Sequence, residues 1–159
     1  MNGAHWHLLV NHVAVLGSCF GLLLFGIGAA RGDRSLWRAG LWLLVATATA
    51  ALAAWLTGES AEGIIEDLIA GSGELIEPHE EAGKLAAWFT AALGVFGVAV
   101  LRYTRLRERL PRALAVAGLV FALAAAGLLS RTAWLGGQIN HPEIRPAGPA
   151  AAAEPRERD

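Results

Sequence analysis

Residues 9–30, LVNHVAVLGSCFGLLLFGIGAA, contain no Asp, Glu, Lys or Arg in twenty-two positions. As a helix the stretch is long enough to cross the ~30 Å hydrocarbon core of a bilayer. A soluble amphipathic helix would carry a polar stripe every three to four residues, and the centre of this stretch has none. Three similar segments follow, at about 36–57, 82–101 and 113–136. A backbone in lipid must satisfy its own hydrogen bonds, so each is expected to be a helix. The chain is 55% hydrophobic and only 17% charged, which fits four spans better than a soluble core. The expectation is an all-α integral membrane protein, a four-helix up-down-up-down bundle in a lipid bilayer.

The first segment has no basic n-region and no A-x-A-like site after a short apolar core, so it reads as retained rather than cleaved. The single cysteine, Cys19, permits no intrachain disulfide and is expected as a small buried packing residue. A net charge of −1 gives no electrostatic reason to expect a nucleic-acid partner.

The connections fix an expected orientation. Arg31, Arg34 and Arg38 flank the first, and Arg102, Arg105, Arg107, Arg109 and Arg112 fill the third. The positive-inside rule makes that side cytoplasmic. Both termini and the long second connection, 58–81, then lie outside, which in a bacterial inner membrane means the periplasm. Trp6, Trp55, Trp88 and Trp134 are expected at the outer interface and Trp37 and Trp42 at the inner one.

All five histidines fall on the outer side, three of them in HWHLLVNH, residues 5–12. The connection 58–81 adds eight carboxylates, among them Glu59, Glu62, Glu80 and Glu81. Its stretch AEGIIEDLIAG alternates acids with Ile64, Ile65, Leu68 and Ile69. That pattern predicts a short amphipathic interfacial helix between spans two and three, with Gly58 ending span two. Pro78 and the acids after it suit the start of the third span.

Four helix ends meet at the outer face. They bring His5, His7 and His12; Glu59 and Glu62; His79, Glu80 and Glu81; and Arg131, Gln138 and His141. His5 and His12 are seven residues apart and share a helix face, whereas His7 lies about 140° from His12. Imidazoles with carboxylates suit a transition metal such as Fe, Cu or Zn. The expected ligands are His12, His79, Glu59, Glu62, Glu80, Glu81 and His141. Arg131, inside the apolar run, is expected to face the bundle interior and pair with Glu80 or Glu81. Gln138, His5 and His7 are expected around the ligands.

Haem b is the alternative, with axial histidines from two helices, such as His12 with His79 or His141. Either reading implies a periplasmic or membrane redox partner, and a homo-oligomer is compatible with both. A third reading is a non-catalytic accessory subunit whose outer connection docks a larger membrane complex. No nucleophile–base pair, phosphate loop or nucleotide fingerprint points to an enzyme class. The middle of the bundle offers only Ser18, Thr47, Thr49 and Thr90 as polar residues, which argues against a proton path.

HLLVNH, residues 7–12, leading into an apolar run, resembles the opening of a family of small bacterial four-span membrane proteins of unknown function. The first span of that family opens on a His-Pro-Leu-Leu-Val-His type of stretch with the same five-residue step between histidines. Leu8 stands where the family has proline. LTGE (56–59), HEEA (79–82) and GGQINHPEIR (136–145) are read as a subgroup pattern. The resemblance implies a fold and a membrane address, with no activity attached. The expected domain is 1–145, followed by a disordered Pro/Ala-rich tail at 146–159.

Overall fold

The computed structural model describes residues 3–68 and 73–145. Four helices account for nearly all of them: α1 (Gly3–Arg31), α2 (Arg34–Leu68), α3 (Gly73–Tyr103) and α4 (Arg112–Asn140). A 3₁₀ turn, Pro142–Ile144, follows α4. All four are long and apolar enough to cross a membrane. The expected tail and the middle of the 58–81 connection lie outside the described residues.

α1 and α2 form a hairpin across Gly32 and Asp33. Gly32 takes φ +67°, the left-handed region that glycine enters without a Cβ clash. The Asp33 carboxylate accepts the Leu36 N–H and so caps α2. The two helices pack backbone to backbone. A Cβ on Gly28 would collide with the Trp37 main chain, and one on Gly40 with the Phe25 main chain. Small residues allow this approach, which supplies the dispersion contacts that hold helices together in lipid. Phe25, Trp37, Leu41, Leu44 and Leu93 fill the core at this end. At the other end the core is slighter: Ala14, Ala51, Ala86 and Leu129.

Four differences from the sequence expectation have local causes. The acidic stretch after Gly58 is no separate interfacial helix, because α2 runs unbroken to Leu68. Gly58 and Gly63 are tolerated inside it, since glycine weakens a helix by only about 1 kcal/mol. α3 likewise begins before Pro78, which sits on its exposed side. Trp37 is fully buried under Gly28 instead of standing in an interfacial belt. Cys19 is exposed on the flank of α1.

At the histidine end the second hairpin resembles the first. Positions on α1 and α3 correspond at an offset of 72 residues, and positions on α2 and α4 at 78. His7 Nδ1–H donates to the Ala54 carbonyl at 2.9 Å, and His79 Nδ1–H donates to Thr132 at 3.0 Å. Gly58 flanks the first ring and Gly136 the second. The four-residue core Ala14, Ala51, Ala86 and Leu129 maps onto itself, and the buried hydroxyls of Ser18 and Thr90 correspond. At the histidine end the two hairpins therefore place corresponding residues in corresponding positions, whereas at the other end the backbone-to-backbone approach of α1 and α2 is not repeated, Gly118 of α4 meeting the Phe25 and Phe96 rings.

Candidate functional site

At the histidine end of the bundle His7 of α1 faces His79 of α3, with ring centres 6.3 Å apart and planes inclined at 78°. Each ring is half-buried and tied by Nδ1–H to a carbonyl of the next helix. The Thr57 hydroxyl lies 3.4 Å from His7 Nδ1 and adds to that anchor. A donating Nδ1–H leaves Nε2 as the nitrogen with a free lone pair, the state in which imidazole binds a metal. Gly136 makes room for the second ring, since a Cβ there would lie 2.8 Å from His79 Cε1.

Both rings open on a cavity of about 1130 Å³ at this end of the bundle. Its inner wall is made of small residues, among them Ala14, Ala51, Ala54, Ala86 and Gly83. The polar residues lining it are Asn11, His12, Glu59, Glu62, Glu80, Glu81, Lys84, Asn140 and His141, with the two rings. Glu62 of α2 and Glu80 of α3 are electrostatic neighbours on it.

The expected ligands are thus brought to one cavity, but not as one ligand set. Among the described residues, no three His, Cys, Asp or Glu side chains are grouped so as to hold a metal ion. His79 stands on this cavity, and the residue that faces it is His7, expected from the sequence around the ligands and not among them. His12 is exposed on the rim, with Nδ1–H donating to the Leu8 carbonyl of its own helix at 2.7 Å. His141, also exposed, donates to Glu143 at 2.9 Å. The Glu143 carboxyl is held below the usual range by its own backbone N–H first and by His141 second. His5 is exposed and outside the cavity lining.

Arg131 does not face the interior. It is exposed, in a crevice of about 220 Å³ with Pro78, Glu81, Ala82 and Leu85 on the outside of the α3–α4 pair. Gln138 is buried, but it too lies outside the cavity lining. A signal for His7 existed in the spacing: a helix that starts at Gly3 puts His7, Ala14, Ser18 and Gly21 on one face.

No curated protein and no solved structure matches the chain. A family profile described as "Predicted membrane protein (DUF2231)" matches residues 5–141, which takes in all four helices and both rings of the imidazole pair. The chain therefore belongs to the DUF2231 family of predicted membrane proteins.

Proposed function

We propose that the protein is a b-type haem protein that passes electrons within or across the surface of a membrane, with His7 and His79 as the axial ligands. The observation that carries this reading is the imidazole pair. Two imidazoles binding one metal from opposite sides, each at about 2 Å, hold their ring centres about 6 Å apart. The observed 6.3 Å matches that spacing. Both rings are already fixed in the ligating tautomer by carbonyls of α2 and α4. The cavity, at about 1130 Å³, is somewhat larger than the ~300–1,000 Å³ of ordinary small-molecule pockets, which suits a flat tetrapyrrole better than a bare ion. A closed zinc-type site would need four ligands, and the pair supplies two.

The haem would supply one-electron chemistry. The chain's own residues orient the two imidazoles, and the Ala-lined wall keeps water from the inner side. The arginine-rich connections support placing the imidazole end at the outer, periplasmic face of a bacterial inner membrane. From there a membrane or periplasmic redox partner is within reach.

The test is an optical spectrum with metal analysis on detergent-purified protein, compared with His7→Ala, His79→Ala and His12→Ala. A Soret band abolished by the first two changes and kept by the third is the expected result. A stoichiometric metal without a Soret band, lost in the same two variants, would replace haem with a non-haem ion such as Fe, Cu or Zn. Neither signal would leave the protein as an accessory subunit.

A further inference from the structure

Arg131 stands within the apolar run AAAGLLSRTAWLG, residues 124–136 of α4. An ionisable side chain on a membrane span is costly unless something pairs with it. Arg131 is exposed on the outside of the α3–α4 pair, and among the described residues it makes no ion pair and no hydrogen bond. It shares a crevice of about 220 Å³ with Pro78, Glu81, Ala82 and Leu85 of α3. Among the described residues, Arg131 is the only cation lining that crevice and Glu81 the only anion. Lys84 lines the main cavity and not the crevice, whereas Glu81 lines both. The two opposite charges border one small space, yet no ion pair joins them.

The neighbouring tryptophans give the depth. A Cβ on Gly83 of α3 would lie 3.6 Å from Thr132 Cγ2, so these two residues are level with each other and with Arg131. Trp134 lies three residues beyond Arg131 toward the histidine end of α4, about 4–5 Å along the axis. Trp88 lies five residues beyond Gly83 toward the middle of α3, about 7–8 Å along it. Both rings are exposed, and Trp55 of α2 packs on Trp88 with ring centres 5.7 Å apart. Exposed tryptophans sit at the headgroup level of a bilayer, and Arg131 stands between two of them. From the crevice, exposed Leu85 and Trp88 continue as apolar surface toward the middle of the membrane.

We propose that this crevice binds the headgroup of a phospholipid whose phosphate is followed by a primary ammonium, as in phosphatidylethanolamine, with Arg131 on the phosphate and Glu81 on the ammonium. The site lies outside the bundle and does not depend on the haem reading. The planar guanidinium presents a fork of N–H donors that suits phosphate oxygens, and a carboxylate accepts from an ammonium. Hydrogen bonds between charged partners are the stronger kind. An anionic headgroup without an ammonium would satisfy Arg131 and leave Glu81 facing like charge. The first acyl chain would run over Leu85 and Trp88.

The test is competition between phosphatidylethanolamine and phosphatidylglycerol of the same acyl chains for the full detergent-solubilised chain, with bound lipid counted by native mass spectrometry. The wild type is expected to retain the ethanolamine lipid about fivefold better, the effect of one exposed ion pair. Glu81→Gln is expected to bring the two lipids level. Arg131→Gln is expected to weaken both by a similar factor. Circular dichroism checks that both variants keep their helices, and the ratio of the two lipids is a readout that a merely structural role would not move. Equal or better retention of phosphatidylglycerol by the wild type overturns the proposal, as does a ratio that Glu81→Gln leaves unchanged. A dimer without bound lipid, lost in Arg131→Gln, overturns it in favour of a second copy of the chain at this face.

Discussion

Gly136 sets how near α4 comes to the His79 ring. A methyl group there would lie 2.8 Å from Cε1 and 3.0 Å from Nδ1, so the ring or the helix has to move. Gly136→Ala is expected to weaken haem binding by about tenfold or more, since a displaced ring loses the Thr132 anchor. Gly58→Ala, whose nearest ring atom is 3.9 Å away, should change binding little. Titration of both variants with haem, alongside circular dichroism to show that the helices persist, checks the contrast. At this scale the sequence was only partly legible. His79 could be singled out because it stands beside acids at a helix start. His7 shares a helix face with Ala14, Ser18 and Gly21, but in a run with no charged residue that spacing does not say which face is buried until the other helices are packed against it. The side that Arg131 faces is illegible for a related reason: depth in an apolar run says that an arginine needs company, not which side of the bundle it faces.

At the scale of elements, the four spans were legible from composition because lipid leaves the backbone no other solution. The extension of α2 to Leu68 was not. Its acids and glycines read as a break, yet neither glycines nor acids forbid a helix, and only the placement of α3 beside it decides the outcome. Two glycines of α2 should accordingly behave in opposite ways. Gly40→Ala drives a Cβ into the Phe25 main chain and is expected to destabilise the bundle by roughly 1–3 kcal/mol. Gly63→Ala meets nothing within 4 Å and is expected to stabilise the α2 extension by about 0.5–1 kcal/mol. Thermal unfolding in a single detergent, with the two variants run against the wild type, measures both. An equal loss in both would mean that α2 does not continue past Gly58 as a rigid element.

For the whole molecule, the charge asymmetry of the two ends makes a topological prediction. The Arg34–Glu108 ion pair, at 3.3 Å, ties the first and third connections together at the arginine-rich end. Arg34 also donates to the Arg105 carbonyl there. In a Cys19→Ala background, Glu143→Cys in intact cells stripped of their outer membrane is expected to react with an impermeant maleimide. Arg107→Cys is expected to react only after lysis. The reverse pattern would put the imidazole pair on the cytoplasmic side and change which redox partners can reach it. The repeat was the feature least legible in the sequence, since the halves keep identical residues at few positions, such as His7 and His79, Gly40 and Gly118, and Gly58 and Gly136. What they keep is a pattern of contacts, and contacts become visible only once the helices are packed.

The way the two hairpins are related also bears on how such a chain could arise. A unit with two spans returns the chain to the side of the membrane where it began. A tandem second copy therefore inserts in the same sense as the first, with no change in the distribution of arginines between the two sides. The two histidines then stand at the same end of the bundle, as the observed pair does. A unit with an odd number of spans would have carried its second histidine to the opposite leaflet.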